Sequence, residues 1–282
     1  MRRLLLLLPL LAVALASACS DSSPSPAPVA TDTAGAPVYI ALGDSLSEGI
    51  GASAPGSTGF VPLVYDSLPD GYALQNLGHS GDTSRQLLDH GHLDEAIATI
   101  EQLNGDSDAD NDVRLVTLEI GGNDLLRLYS SFVITGVCPD VDTLLTTPDC
   151  VDALTTVLTN FEPNFAATLD SIEAADPSLQ LVVLTLYDPF SGRLPVPSAI
   201  SQVALEGMEG SPFPEGLNTI IRRLVDGRNV TLVDLYPLFQ GRGNELISID
   251  FIHPNDAGYA VMAEAVIAAI AVISAGASSP SP

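Results

Sequence analysis

The sequence predicts an α/β fold in which a parallel sheet of about five strands is the middle of three layers. The first observation is a set of apolar segments of strand length: Val38–Leu42, Tyr72–Leu77, Val113–Ile120, Leu181–Tyr187 and Val230–Leu235. The second is that helix-like stretches separate them, most clearly Leu93–Leu103, Val151–Ala175, Gly216–Val225 and the Ala-rich Asp256–Ile273. Strand followed by helix, repeated, favours a flavodoxin-like sheet covered on both faces, with functional residues at the carboxyl ends of its strands.

Residues 1–18 have the pattern of an export signal. Arg2 and Arg3 precede an apolar stretch that is too short to cross a bilayer. Residues 15–19, Leu-Ala-Ser-Ala-Cys, resemble a bacterial lipobox, in which the cysteine becomes the lipidated N-terminus. We therefore predict an exported lipoprotein, anchored to a membrane through Cys19 on the cell surface or in the periplasm. The alternative is ordinary signal cleavage, which leaves Cys19 as a free thiol.

One folded domain is expected behind a tether. Residues 19–37 are rich in Ser, Pro, Ala and Thr, a composition that cannot pack, so we predict a disordered linker after the lipidated cysteine. The domain is predicted to span residues 38–274, and residues 275–282 have the composition of a disordered tail. Two insertions interrupt the alternation of strands and helices, at Ser130–Cys150 and Ser191–Pro214, and we expect both to wall the functional site.

The charge of the chain argues against one class of partner. The formal net charge is −25, from 35 Asp and Glu residues against 10 basic residues, all of them Arg. A surface this negative repels nucleic acid and acidic polymers, so neutral substrates fit better. Adaptation to a salty medium explains the same charge, and the sequence does not separate the two explanations.

The three cysteines divide into two roles in an oxidising compartment. If Cys19 carries lipid, Cys138 and Cys150 remain, and we predict that they form a disulfide that closes a short loop. The alternative is a pair of reduced thiols. A metal site at these two cysteines is disfavoured because no His and no second Cys pair lies near them.

A candidate nucleophile follows the first predicted strand. Gly43-Asp44-Ser45 should form a strand-to-helix turn, with the Ser45 hydroxyl exposed and its backbone N–H directed into the crevice. A tripeptide of this kind is also common at an ordinary helix start, where Asp or Ser caps the first turn. By itself it is therefore weak evidence for catalysis.

A candidate general base lies near the C-terminus. Asp250 and His253 are three residues apart, close enough for the carboxylate to orient the imidazole ring. A hydroxyl becomes a good nucleophile when a base accepts its proton, and the carboxylate stabilises the imidazolium that forms. The alternative is a structural His that caps a helix.

Two further segments could supply donors for an oxyanion. Residues 76–83, Asn-Leu-Gly-His-Ser-Gly-Asp-Thr, follow the second strand, where a Gly brings its backbone N–H close to a substrate oxygen. Residues 121–124, Gly-Gly-Asn-Asp, follow the third strand, and the side-chain amide of Asn123 can donate to the same oxygen.

These four segments, in this order, resemble the GDSL/SGNH hydrolase family, which is named for Ser, Gly, Asn and His in four blocks. The resemblance runs from about residue 38 to residue 273 and implies the SGNH hydrolase fold. It implies that Ser45 is the nucleophile, and that Asp250 and His253 complete a catalytic triad. The oxyanion hole would be formed by the Ser45 N–H, Gly81 and Asn123. Gly81 is preferred to Gly78 because Ser-Gly-Asp-Thr is the usual wording of the second block.

The resemblance predicts a serine esterase that needs no cofactor and hydrolyses carboxylic esters through an acyl-enzyme. Carbohydrate O-deacetylation and the cleavage of lysophospholipids or thioesters are alternatives within the same fold, and a non-catalytic lipoprotein that binds glycans or lipids is a further one. We expect a monomer. The fourth block departs from the commoner Asp-Gly-x-His because Phe251 stands in the place of Gly.

Two other features carry weaker predictions. The alternating residues Asp106, Asp108, Asp110 and Asp112 resemble a calcium loop, but the Gly and Glu that such a loop requires are absent, so a solvated acidic loop is favoured. His90 and His92 lack a carboxylate or Cys partner at metal spacing in the sequence, and we expect them to be surface residues.

Overall fold

The computed structural model of the chain describes residues 35–277. The predicted signal peptide at residues 1–18, the lipidated Cys19, most of the predicted linker and residues 278–282 lie outside the described residues. None of the helices in the described part is long and apolar enough to span a bilayer.

Five parallel strands form one sheet, as the sequence predicted. In chain order they are β1 Val38–Gly43, β2 Ala73–Gly78, β3 Val113–Glu119, β4 Gln180–Leu184 and β5 Val230–Val233. Their order across the sheet is β2-β1-β3-β4-β5, so the chain crosses back over β1 between the second and third strands. This reversal opens a crevice at the carboxyl end of β1, where ligands bind in sheets of this type.

The fold has three layers because both faces of the sheet are apolar. Along β1, Val38, Ile40 and Leu42 pack into one buried cluster, while Tyr39 and Ala41 pack into another. Successive side chains of a strand point to opposite faces, so this alternation places a hydrophobic core on each side of the sheet. The three-layer α/β prediction is confirmed.

Thirteen helices are present in the described part of the chain. They are α1 Ser45–Glu48, α2 Pro55–Thr58, α3 Phe60–Ser67, α4 Ser84–Asp89, α5 His92–Leu103, α6 Gly122–Leu128, α7 Val141–Thr146, α8 Pro148–Ala175, α9 Pro195–Glu206, α10 Leu217–Val225, α11 Tyr236–Phe239, α12 Gly243–Leu246 and α13 Asp256–Ala277. A π-helical turn, Tyr129–Val133, extends α6. Helix α13 continues three residues beyond the predicted domain end at residue 274, in a segment that contains the strong helix former Ala.

The fourth strand is shorter than the sequence predicted. It ends at Leu184, which pairs with Val233, the last residue of β5, so the ladder has no further strand to pair with. Beyond it, the buried side chain of Asn218 takes the place of a neighbouring strand. Its amide accepts a hydrogen bond from the Leu186 N–H and donates one to the Leu186 carbonyl, each over 2.8 Å. Asn218 thus holds the chain after β4, which leads to the cavity-lining residues Leu186 and Tyr187.

The two insertions pack against each other. Cys138 and Cys150 are joined by a disulfide, and both are buried in a cluster with Ile200 and Val203 of α9. The first insertion thus supports the helix that the second insertion contributes. We expected both insertions to wall the site. The second insertion does so through α9, which lines the cavity described below, whereas the first insertion contributes no lining residue.

Candidate active site

Ser45 lies at the start of the short helix α1, directly after β1. The side chain of Asp44 caps this helix by accepting a hydrogen bond from the Leu46 N–H over 3.1 Å. The N–H of the first residue of a helix has no acceptor inside the helix, so the Ser45 N–H is available to a ligand. The Asp44 cap and the role predicted for Ser45 therefore coexist in one turn, and the capping alternative does not exclude the catalytic one.

His253 joins Ser45 to Asp250. Its Nε2 atom lies 2.9 Å from the Ser45 Oγ atom, and its Nδ1 atom lies 2.6 Å from the Asp250 Oδ2 atom. The three groups thus form a continuous chain of hydrogen bonds, in the arrangement that lets an imidazole accept a proton from a hydroxyl while a carboxylate orients the ring.

Asp250 is held in its ionised form. Burial raises its pKa, but hydrogen bonds from the Ile252 N–H, from Ser248 and from His253 outweigh burial and lower the pKa to about 2. Ser248 donates to the Asp250 Oδ1 atom over 2.7 Å, while the Oδ2 atom is left to the imidazole. The carboxylate is therefore charged throughout the neutral pH range, as a group that stabilises an imidazolium must be.

The loop that carries this pair contains a residue with a positive φ. Phe251 has φ of 68°, a left-handed conformation that costs little for Gly and is unfavourable for residues with a Cβ atom. Its ring lies 3.9 Å from the guanidinium carbon of Arg193, whose Nη1 atom also donates to the Ser248 carbonyl. Phe251 thus gains a contact with Arg193 of the second insertion, but its backbone adopts a conformation that is unfavourable for a residue with a Cβ atom.

The two glycines of the second block have different roles in the fold. Gly78 ends β2, and a Cβ atom there would lie 2.5 Å from the Ser47 Cβ atom, so it permits close packing of α1 on the sheet. Gly81 lies on the following turn with φ of 87°, and space around it is open. Within residues 35–277 its N–H has no hydrogen-bond acceptor. The placement of Gly81 is compatible with the oxyanion role that the sequence predicted.

Asn123 lies at the same edge of the sheet, in the first turn of α6. Its Nδ2 atom donates one hydrogen to the Asp44 Oδ2 atom and the other to the Asp82 carbonyl, each over 2.9 Å. The amide therefore ties the turn after β1 to the turn that carries Gly81. Both of its hydrogens are engaged, so donation to an oxyanion requires that one of them be shared or released.

Comparison with known proteins identifies the family of the chain. A profile of the GDSL-like lipase/acylhydrolase family matches residues 39–266. The chain belongs to this family. At the level of the family it is a serine ester hydrolase of the carboxylic ester class.

The relatives and solved structures to which this GDSL-like lipase/acylhydrolase is similar match most of its length. The spore germination lipase LipC of Bacillus licheniformis is 26% identical over 239 residues, which cover 82% of this chain and 95% of LipC. The lipase Lip_vut3 from a goat rumen metagenome has a TM-score of 0.61 at 23% identity, covering 83% of this chain and 97% of that one. An extracellular lipase from Streptomyces rimosus has a TM-score of 0.54 at 18% identity, covering 83% and 100%. The two solved structures share the fold.

A buried pair of carboxyl groups lies beneath the nucleophile candidate of this GDSL-like hydrolase. Glu119, the last residue of β3, faces Asp44, and both side chains are fully buried. Burial raises the pKa of Asp44 to about 6, and burial together with the charge of Asp44 raises the pKa of Glu119 well above its usual value. In the described part of the chain no N–H or hydroxyl group donates to either oxygen of Glu119. The raised pKa values and the lack of a donor both favour a proton on Glu119.

An apolar cavity of about 100 Å³ opens beside Ser45 and His253. Its walls come from α6, from the π-helical turn that follows it, from the chain after β4 and from α9. They include Leu125, Leu126, Leu128, Tyr129, Leu186, Tyr187, Phe190, Ile200, Ala204 and Leu205. A cavity lined in this way favours an apolar group next to the reacting atoms, since polar partners are few.

The structure bears on two weaker predictions about metal ligands: it is compatible with the solvated acidic loop that the sequence favoured, and it corrects the expectation for the histidines. The carboxylates of the acidic loop do not gather around one point: Asp106 and Asp108 instead accept hydrogen bonds from backbone N–H groups two residues further on. His90 is exposed and His92 is partly buried, but both approach the carboxylate of Asp82, so the expectation that they lack a carboxylate partner is wrong. Helix α4 folds the chain back between the two positions, which spacing along the sequence did not reveal.

Sequence reasoning overlooked Glu119 and the clustering of histidines with Asp82. Glu119 ends an apolar strand directly before the Gly-Gly-Asn-Asp segment, and a charged residue in a buried strand is a signal that could have identified it. For the histidines the signal is density, because three of the four histidines of the chain lie within residues 79–92.

Proposed function

We propose that Ser45, His253 and Asp250 are the catalytic triad of this ester hydrolase, and that the acyl chain of the substrate occupies the apolar cavity beside them. The observation that carries the proposal is the unbroken hydrogen-bonded chain from the Ser45 Oγ atom through His253 to Asp250, at the mouth of that cavity.

Acylation begins when the Ser45 oxygen attacks the carbonyl carbon of the ester while the Nε2 atom of His253 accepts the hydroxyl proton. The carbonyl electron pair moves to oxygen and then returns, which breaks the bond to the alcohol. His253 gives its proton to the departing alcohol. Ionised Asp250 stabilises the imidazolium between these two transfers, and its low pKa supports this role.

Deacylation repeats the same transfers with water as the nucleophile. His253 accepts a proton from water, the resulting hydroxide attacks the acyl carbon, and the Ser45 oxygen leaves with the proton that His253 returns. The products are the free acid and the regenerated serine. His253 carries the proton in both steps, and the 2.9 Å distance from its Nε2 atom to the Ser45 Oγ atom supports this role.

The negative oxygen of each tetrahedral intermediate requires donors. We assign this role to the Ser45 N–H, the Gly81 N–H and the Asn123 amide. The N–H groups of Ser45 and Gly81 have no acceptor in the described structure, which supports the assignment. For Asn123 the assignment requires its bond to Asp44 or to the Asp82 carbonyl to be shared during the reaction.

The cavity supports an acyl group longer than acetyl. Leu186, Ile200 and Ala204 line it and offer contact surface for methylene groups, which gain from burial away from water. An acetyl group would leave most of this surface without a partner. We therefore assign esters of longer acyl chains as the preferred substrates, with neutral alcohols because of the net charge of −25.

The cellular location of the protein is proposed from residues 1–37, which precede the folded domain. Export, lipidation of Cys19 and attachment to a membrane follow from the residues around the predicted cleavage point, and we infer a monomer at the end of the tether. Mass spectrometry of the exported protein should find a new N-terminus at Cys19 bearing lipid. Recovery of a water-soluble form without lipid would remove the anchor from the proposal and leave the enzyme unaffected.

A panel of p-nitrophenyl esters of increasing acyl length, together with acetylated xylan and a lysophospholipid, tests the substrate assignment. We expect kcat/KM to rise from acetate to longer chains and then to fall. Ser45→Ala should lower kcat by more than about 10³-fold with the fold intact, because a small turn residue contributes little packing. Near-normal hydrolysis by folded Ser45→Ala protein contradicts the triad, whereas a preference for acetylated xylan favours a deacetylase instead.

A further inference from the structure

Three imidazole rings surround one buried carboxylate on the turn after β2. His79, His90 and His92 approach Asp82, and each of these four residues offers one ligand atom within 4.8 Å of the others. We call these four residues the histidine cluster. The rings contact one another as well, since those of His79 and His92 stack with their centroids 4.9 Å apart.

The two oxygens of Asp82 have unequal surroundings. The Oδ1 atom accepts hydrogen bonds from the Nδ1 atoms of His79 and His90, each over 2.9 Å. The Oδ2 atom is buried and has no donor among the described residues, although the Nε2 atom of His92 lies 4.0 Å away. The Asp82 side chain is only 2% exposed. A buried carboxylate oxygen without a partner is costly, and an ion is one of the few groups that can satisfy it.

We propose that the histidine cluster binds one divalent transition-metal ion, with Zn²⁺ as the best match. Three imidazoles and one carboxylate form a four-ligand set of the kind that zinc binds tetrahedrally. In such a site neighbouring ligand atoms are about 3.3 Å apart, from metal–ligand distances of about 2.0–2.2 Å. Ligand atoms already within 4.8 Å reach that geometry if each moves by about 1 Å or less.

The ligand types also select the metal. Imidazole nitrogens favour zinc, copper and nickel, whereas calcium and magnesium favour oxygen ligands. The His79 and His90 side chains are 50% and 40% exposed, so an ion from solvent can reach the cluster. The Asp82 carboxylate provides negative charge for the cation on the buried side of the cluster.

The position of the cluster links it to the proposed oxyanion donors. Asp82 follows Gly81 directly, and its carbonyl accepts a hydrogen bond from Asn123 over 2.9 Å. His90 and His92 lie on the far side of α4, so an ion held by all four side chains closes a loop around the turn that carries Gly81. Metal binding would thereby fix this turn. An effect of the metal on the oxyanion donors rests on the function proposed above, whereas the binding of the metal does not.

Zinc binding should be measured on protein without a polyhistidine tag, stripped with a chelator. We expect wild-type protein to bind one Zn²⁺ per chain in competition with a chromophoric chelator, and zinc to raise its Tm. Ca²⁺ and Mg²⁺ should not displace the zinc. Replacement by Co²⁺ should give the intense visible absorption of a tetrahedral site.

His92→Gln is the most informative variant, because His92 makes no hydrogen bond to Asp82 and the two side chains approach each other only to 4.0 Å. It should weaken zinc binding by at least about tenfold, since even residues outside the ligand shell contribute this much at metal sites. The Tm without zinc should change little. Asp82→Asn should weaken zinc binding as well. If His92→Gln does not fold, Asp82→Asn and His90→Gln provide the same test.

His253→Gln is the matched control, because it removes the fourth histidine and the proposed catalytic base but none of the cluster. It should bind zinc with wild-type affinity while losing hydrolysis. Undiminished zinc binding by His92→Gln and Asp82→Asn, or loss of binding in His253→Gln, would locate the ion elsewhere and overturn the proposal. Wild-type protein that binds no zinc would identify the cluster as a set of imidazole–carboxylate ion pairs. The zinc-binding outcomes do not depend on whether Ser45 is the nucleophile; only the loss of hydrolysis in His253→Gln tests the proposed function.

Discussion

The Asn123 Nδ2 atom donates to the Asp44 Oδ2 atom over 2.9 Å, which joins the third sequence block to the first. The residue beside the proposed nucleophile thus holds the proposed oxyanion donor in place. The carboxyl that accepts this bond also faces Glu119, and burial raises the pKa of Asp44 to about 6. A change in the charge of the Asp44–Glu119 pair should therefore alter the hydrogen bond that positions the Asn123 amide.

Asn123→Ala should lower kcat by about 10²–10³-fold, or roughly 2.7–4 kcal/mol, with little change in KM. An oxyanion donor acts on charge that develops in the transition state, so its loss affects kcat most. The Tm should also fall, because Asp44 and the Asp82 carbonyl each lose a donor. Steady-state kinetics and thermal unfolding measure the two effects.

Asn164→Ala is the control for the loss of stability alone. Asn164 donates to the Ser84 Oγ atom over 3.2 Å, outside the proposed oxyanion hole, so its removal should lower the Tm and leave kcat near wild type. If Asn123→Ala behaves in the same way as Asn164→Ala, Asn123 only holds the two turns together.

Glu119→Gln should change how stability depends on pH. Because the folded-state pKa of Glu119 is raised well above 4.5, the folded protein keeps a proton that the unfolded chain has lost. Its contribution to stability is therefore greatest at low pH and is lost as the pH rises above about 4.5, by at most about 1.4 kcal/mol per pH unit. Gln cannot ionise, so the free energy of unfolding of the variant should fall less steeply between pH 4.5 and 7. Parallel curves for the two proteins would show that Glu119 is not protonated in the folded state.

Ala204→Phe should shift acyl preference toward acetate. The Ala204 side chain is buried on α9 and lines the cavity, so a benzyl group there occupies the space proposed for the acyl chain. Hydrolysis of longer p-nitrophenyl esters should fall far more than hydrolysis of the acetate. Ala199→Phe is the matched control, since Ala199 lies on the exposed face of the same helix. Equal losses on all esters would show that the cavity does not hold the acyl group.

Phe251→Gly should be more stable than Phe251→Ala by about 1 kcal/mol. Both variants lose the contact with Arg193, but only Gly adopts a φ of 68° at little cost. Denaturant unfolding of the two variants gives the difference directly. Equal stabilities would mean that the backbone at residue 251 relaxes to a negative φ once the ring is removed.

Local patterns in the sequence were sufficient for the architecture and for the proposed reacting groups. Strand and helix periodicity depend on residues a few positions apart, so five strands, their parallel arrangement and the main helices were predicted. Asp250 and His253 are three residues apart, and their contact needed no knowledge of the tertiary structure. Ser45 was identified by its turn after β1 and by the resemblance to a family to which the chain belongs.

Only the tertiary structure decided which distant groups meet. The order β2-β1-β3 brings Asp44 against Glu119 and Asn123, and the fold of α4 brings His90 and His92 to Asp82. It likewise places α9 over the cavity, supported by the Cys138–Cys150 disulfide. These contacts depend on the order of strands and the path of insertions, which residues far apart in the chain determine jointly. Periodicity within any one segment therefore does not encode them.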